Sequence, residues 1–188
     1  MALASDHADV SVRPAVPGDE IAITAIQLAA WRVAHTAVLG AAVLADLDGA
    51  GITARWAEAI GTPPASGYRV LVACDGPNVV GFSAIAPVPA PESAPLDPPG
   101  GELLALEVAP AEQRNGHGSR LLAAAIDLLR EDGATHVQTW VLDGDVGRAQ
   151  FLSSAGLAAD DSLRTLDTGT AADSTRRSVS EHRWSAQI

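Results

Sequence analysis

Hydrophobic and polar positions along this chain switch between a period of two and a helical period, and the switches mark its elements. Residues 10–13 (VSVR) alternate and predict a first strand, closed by Pro14. After the Pro17-Gly18 turn, Asp19 reads as a helix N-cap with Glu20 in the first turn. Ile21, Ala25, Leu28 and Ala29 then recur at helical spacing, so this helix should end near Thr36. A second helical region covers residues 41–60, with a break expected at 49–51, and stops before Gly61-Thr62-Pro63-Pro64.

Residues 68–74 and 79–88 predict two strands around the hairpin signal Asp75-Gly76-Pro77-Asn78. Residues 87–101 are proline-rich and predict an exposed loop inside one domain, because the alternation resumes beyond them at residues 102–108. Residues 119–131 carry an apolar stripe of Leu121, Leu122, Ala125, Leu128 and Leu129, ended by Gly133. A strand at 136–142, a short helix at 146–155 and a final hairpin of 161–167 with 177–184 complete the chain. The order β-α-α-β-β-β-α-β-α-β-β implies an α/β fold, a mixed central sheet flanked by helices.

Composition narrows the partners. The chain has 188 residues, enough for one domain with a real core, read here as residues 10–188 behind a flexible stretch 1–9. None of its 12 cations is a lysine, and the formal charge is −11. Such a surface repels nucleic acid and anionic lipid headgroups, so neither partner is expected. The single Cys74 lies in an apolar run and reads as a buried strand thiol. Residues 1–9 lack a basic n-region and an apolar h-region, and the longest apolar stretches fall short of the ~20 residues that span a bilayer. A soluble cytoplasmic protein is expected. His7, His117, His136 and His182 show no ligand spacing with one another or with Cys74, so no metal is expected.

The chemistry concentrates in one segment. Strand residues Leu104 to Val108 lead through Ala109-Pro110 into Gln113-Arg114-Asn115-Gly116-His117-Gly118, which opens directly into a helix at Ser119-Arg120. A glycine loop entering a helix presents several backbone N–H groups and the positive end of the helix dipole to one point, which suits a pyrophosphate. Arg114 and Arg120 add the local positive charge that the acidic composition requires. A dinucleotide fingerprint would need Gly or Ala where Leu121 stands, and a phosphate-binding loop of the Walker type needs a lysine.

The run Gln113 to Gly118 resembles the acyl-CoA loop of the GNAT superfamily of N-acetyltransferases, Q/R-x-x-G-x-G/A, at each specified position. The preceding LEVAP resembles the end of that family's fourth strand. VLDGDVGRAQFLSSAGL, from Val141 to Leu157, resembles its V…N…A…FY…GF segment, and WRVAHTAVLG, from Trp31 to Gly40, its first-helix W-R-x-A-Y stretch.

The resemblance implies acetyl-CoA as co-substrate and an amine as acceptor. It assigns the pyrophosphate to the amides of Asn115, Gly116, His117, Gly118 and Ser119, with Gln113 and Arg114 nearby. It gives Val108 the pantetheine arm and places Asp145 where many members have a cofactor-contacting Asn. It also implies a V-shaped slot between the fourth and fifth strands, and an open expectation of homodimers formed through sheet edges.

An alkylammonium has a pKa near ~10.4, so transfer needs a base to free the amine lone pair. Glu107 and Glu102 are the candidates on the strand lining the slot, with Glu107 favoured because it adjoins the splay. Their odd separation puts them on opposite faces unless a bulge intervenes. Trp31 and His35, one helical turn apart, are candidates for the acceptor wall. Leu152 stands where the family pattern has a tyrosine acid. Two rival readings stay open: a CoA-binding module without turnover, and a transferase for another acyl-CoA such as succinyl-CoA.

Overall fold

Seven strands form one sheet in the order β1-β2-β3-β4-β5-β7-β6 in the computed structural model, which describes residues 10–89, 98–170 and 176–188. The strands are β1 (Val10–Pro14), β2 (Arg69–Asp75), β3 (Asn78–Val88), β4 (Gly100–Val108), β5 (His136–Leu142), β6 (Ala158–Thr170) and β7 (Arg176–Gln187). The helices are α1 (Asp19–Leu39), α2 (Ala41–Ala45), α3 (Gly49–Gly61), α4 (His117–Glu131) and α5 (Val146–Ser154), with a 3-10 turn at Pro110–Glu112. The expected order holds, except that the second helical region is two helices. Its break falls before Gly49, where the Asp48 carboxylate caps α3 by accepting from the Gly51 N–H at 3.0 Å.

The start of α1 also differs from expectation. Gly18, in a left-handed conformation, is the N-cap, and Asp19 is the first helical residue. The Asp19 carboxylate turns instead to Arg13 Nη1 at 2.7 Å and Nη2 at 3.0 Å and to the Val16 N–H at 2.8 Å. The helix runs on to Leu39, three residues past Thr36, because Gly40 is the first residue that leaves helical geometry. At 21 residues, α1 is long and apolar enough to cross a membrane by length and composition alone. Arg32 and His35 interrupt it, and Ile23, Ile26 and Ala30 are buried while Ile21 and Val33 are exposed, as in a helix packed along one side.

Helices cover both faces of the sheet. On one face Leu121, Leu122, Ala125 and Leu129 of α4 and Leu152 of α5 pack on Leu71, Leu103, Leu106 and Val137. On the other, Ile23 and Ile26 of α1 and Trp56 of α3 pack on Val70, Val72 and Phe82. Central strands β2 and β3 are therefore buried on both faces, which explains their continuous apolar runs and the buried Cys74. Glycine after Asp132 closes α4: Gly133 N–H donates to Arg130 O and Ala134 N–H to Leu129 O, both at 2.9 Å. The expected proline-rich loop shrinks, because β3 reaches Val88 and β4 starts at Gly100. Residues 90–97 of that loop, the stretch 1–9 and the centre of the last hairpin lie outside the described residues.

Candidate active site

Among the described residues only β4 and β5 pair in parallel, and their pairing is confined to Gly101 with Val137 and Glu102 with Gln138. Beyond that point the two strands separate, leaving a cleft along the second half of β4. Ala109 N–H donates to Val80 O at 2.8 Å on the β3 side. Strand alternation therefore turns the backbone groups of Val108 and Leu106 toward the cleft. The Val108 carbonyl accepts from Gln113 Nε2 at 3.3 Å, so Gln113 closes the loop back onto the strand end.

The expected phosphate loop stands at the mouth of this cleft. Gly116 is the N-cap of α4 with φ 83°, and no side chain caps the helix. The first intrahelical bond runs from Arg120 N–H to Gly116 O at 3.1 Å, which leaves the N–H groups of His117, Gly118 and Ser119 without helical partners. Arg114 is the one non-glycine residue with positive φ (69°) among those described. Arg120 Nη1 folds back to Asn115 O at 3.1 Å. Such a bare helix N-terminus with two nearby guanidinium groups is built to hold an anion. The helix begins at His117 rather than Ser119, so His117 is drawn into the core, at 2% exposure.

A β-bulge puts the two glutamates on one face of β4. Ala84 opposes Ala105 and Ile85 opposes Leu103, so Leu104 is the extra residue. Leu103 and Leu106 consequently face the same core, and the odd spacing no longer separates Glu102 from Glu107. Their surroundings differ. Glu102 lies where the strands are still paired and accepts from Gln138 Nε2 at 3.3 Å.

Glu107 lies at the opening, largely buried. Burial pushes its carboxyl pKa above the usual value, against the pull of Arg148, while Asp145 adds to the rise and a Trp31 hydrogen bond opposes it. Arg148, from α5, donates through Nη2 to Glu107 Oε1 at 2.6 Å and to Leu106 O at 2.8 Å. Sequence reasoning missed this arginine; its one local signal is its place three residues after the Asp145 cap.

Asp145 caps α5, its Oδ1 accepting from the Arg148 N–H at 3.0 Å. Its Oδ2 lies 3.8 Å from Arg148 Nε and 3.9 Å from His35 Nδ1. That use as a cap and polar partner differs from a free cofactor contact. Trp31 and His35, with ring centroids 6.2 Å apart, bring the face of α1 to this cluster. His35 Nδ1 is sealed from solvent and has no hydrogen-bond partner. Burial lowers the His35 pKa, opposed by Asp145 and aided by Arg148, so the imidazole is neutral at pH 7. Leu152, at the position of the expected acid, is 0% exposed inside the α4–α5 core and faces no cleft.

The family model of the GNAT acetyltransferases matches residues 45–156. Solved structures share the fold. PaiA N-acetyltransferase from Thermoplasma acidophilum, in complex with coenzyme A, is 13% identical with a TM-score of 0.74, over 96% of this chain and 99% of that one. YncA, a putative acetyltransferase from Salmonella typhimurium with acetyl-CoA, is 21% identical with a TM-score of 0.62, over 95% and 93%. Ribosomal-protein-alanine N-acetyltransferase from Brucella melitensis is 21% identical with a TM-score of 0.65, over 95% and 99%. No curated protein sequence matches the chain. The chain belongs to the GNAT acetyltransferase family. By that membership it is an acetyltransferase.

Proposed function

We propose that this enzyme acetylates a primary amine by direct transfer, with Glu107 as the general base. The observation that supports this reading is the position of Glu107 where β4 has parted from β5, next to Val108 and held by Arg148 of α5. The pyrophosphate of acetyl-CoA is held by the amides of residues 115–119 with Gln113 and Arg114, and the pantetheine arm lies along Val108. The Val108 N–H faces the cleft and polarises the thioester carbonyl.

The amine nitrogen bonds to the carbonyl carbon, the carbon–sulfur bond breaks, and the CoA thiolate departs with the electron pair. The amine proton passes to Glu107, directly or through water. A carboxyl with a raised pKa is a stronger base than an ordinary one, which favours this step. The thiolate leaves without a side-chain acid, since thiol pKa values lie near ~8.5. Trp31 and His35 form the acceptor wall.

A second reading has one observation in its favour. The neutral His35 sits beside Asp145, its Nδ1 3.9 Å from Oδ2, and can act as a base through its other ring nitrogen. Release of free CoA thiol across a panel of primary amines tests the function, with succinyl-CoA as a competing donor. The direct-transfer reading requires amine-dependent thiol release with acetyl-CoA. Binding of CoA without release for any amine would favour a non-catalytic module. Loss of turnover in His35→Gln but not in Glu107→Gln would move the base to His35.

A further inference from the structure

Behind the loop that receives the pyrophosphate, three ligand-bearing side chains meet from separate elements. Asp75 ends β2, Glu112 ends the 3-10 turn after β4, and His117 opens α4. One ligand atom from each lies within 4.8 Å of the other two. Spacing along the chain does not reveal the set, because Asp75 joins it only through the pairing of β2 with β3 and β3 with β4.

Two further features point to a ligand there. His117 is 2% exposed, and its Nδ1 is sealed from solvent without a hydrogen-bond partner. A buried imidazole nitrogen ordinarily has a partner, and leaving one unmet costs about 1–3 kcal/mol. Neither Asp75 nor Glu112 has an ion-pair partner among the described residues. Two uncompensated carboxylates also stand beside a loop built for an anion, where they would repel it. A divalent cation held by the three side chains neutralises the carboxylates and gives the buried imidazole a partner.

We propose that Asp75, Glu112 and His117 form a site for a first-row divalent metal ion, with zinc the best match. One imidazole nitrogen and two carboxylate oxygens suit zinc, and the nitrogen disfavours magnesium and calcium. A point equidistant from three atoms 4.8 Å apart lies about 2.8 Å from each, against about 2.0–2.2 Å for zinc bonds. The half-buried carboxylates therefore close in by less than ~1 Å, within the reach of side-chain rotation. Solvent supplies the fourth position. The ion takes no part in acetyl transfer; it ties the β2–β3 turn and the end of β4 to the first turn of α4, and so fixes the backbone of the Gln113 to Gly118 loop.

The test uses the full chain stripped of metal by chelator and dialysis. Titration with zinc chloride should show one saturable site by calorimetry, and cobalt(II) should give visible d–d absorption displaced by zinc. Magnesium chloride should give no site. Hydrogen exchange of the amides at 114–118 should slow on zinc binding. The double variant Asp75→Asn, Glu112→Gln keeps side-chain shape and should abolish the site, while Asp46→Asn at an exposed position should retain it. Absence of a stoichiometric site for zinc and cobalt would overturn the proposal, as would full retention of the site in the double variant. Zinc binding that leaves the 114–118 amides unchanged would overturn the bracing role. None of these readouts depends on turnover, so they stand apart from the assignment of the base.

Discussion

Arg148 reaches across the mouth of the cleft to hold Glu107, Nη2 to Oε1, at 2.6 Å. The pair joins α5 to β4 where β4 has parted from β5, so one contact both braces the opening and fixes the carboxylate. Because both side chains are mostly buried, neither can lose its partner without leaving a charge in a poorly solvated place.

That relationship yields the first prediction. Glu107→Gln should lower kcat about 10²–10⁴-fold with CoA affinity nearly unchanged, the range a lost general base gives. Glu102→Gln, whose parent already bonds Gln138, should have a mild effect. The base works deprotonated, and its folded pKa lies above the ordinary carboxylate value. The acid limb of the kcat/KM profile should therefore sit higher than for an ordinary glutamate. Arg148→Met removes the group that holds this pKa down, so the acid limb should move further up, with a stability loss of about 3–5 kcal/mol in denaturant titration.

The phosphate loop allows a sharper experiment with two glycines of different kind. Gly118 has ordinary φ, and a Cβ there would meet the Phe151 ring at 3.6 Å and Val108 Cγ2 at 3.7 Å, ordinary contact distances. Gly118→Ala should fold as the parent does. Gly118→Asp should abolish the rise in Tm that CoA gives, because it sets a carboxylate against the pyrophosphate. Gly116 has φ 83°, so Gly116→Ala should cost about 1 kcal/mol even without ligand. Thermal melts with and without millimolar CoA read all three.

His35 carries a stability prediction with a definite sign. Its folded pKa is lowered from 6.5, so the unfolded chain binds the proton more readily. The stability tied to the neutral imidazole is fully present above pH 6.5 and is lost as pH falls through the folded pKa. Urea titrations at about pH 7.5 and 5.5 should show the parent losing more stability over that interval than His35→Gln. Equal losses in the two proteins would show that His35 is not the responsible group.

Several of these features are legible in the amino-acid sequence itself. The Gln113 to Gly118 loop is local chemistry, in which glycines and a following apolar stripe force a turn into a helix. Strand β5 falls at residues 136–142 as expected, since its alternation is clean and Gly133 ends the helix before it. Contacts set by distant pairing are not legible in this way. Arg148 and Glu107 are 41 residues apart in the chain, and nothing near either names the other. The bulge at Leu104 is a one-residue slip against β3, invisible in the alternation of β4 alone, yet it decides which way Glu102 faces. Asp19 suits a cap by its local position, but Arg13 on β1 offers its carboxylate a charged partner instead.

The last prediction concerns Leu152. The family pattern places a tyrosine there, where a phenol would donate a proton to the departing CoA sulfur. In this chain Leu152 is 0% exposed and packs among the buried residues of the α4 face, including Leu121, Leu122 and Leu157. A tyrosine ring is larger than that space, and overpacking of a filled core costs about 1–3 kcal/mol. Its hydroxyl would also need a hydrogen-bond partner among apolar neighbours. Leu152→Tyr should therefore lower Tm and leave turnover the same or lower. The reaction does not require that acid, since a thiol with a pKa near ~8.5 departs as thiolate close to neutrality. Thermal melts and amine-dependent thiol release, measured on parent and variant together, check both halves. A variant that melts as the parent does and turns over faster would mean that position 152 reaches the sulfur after all.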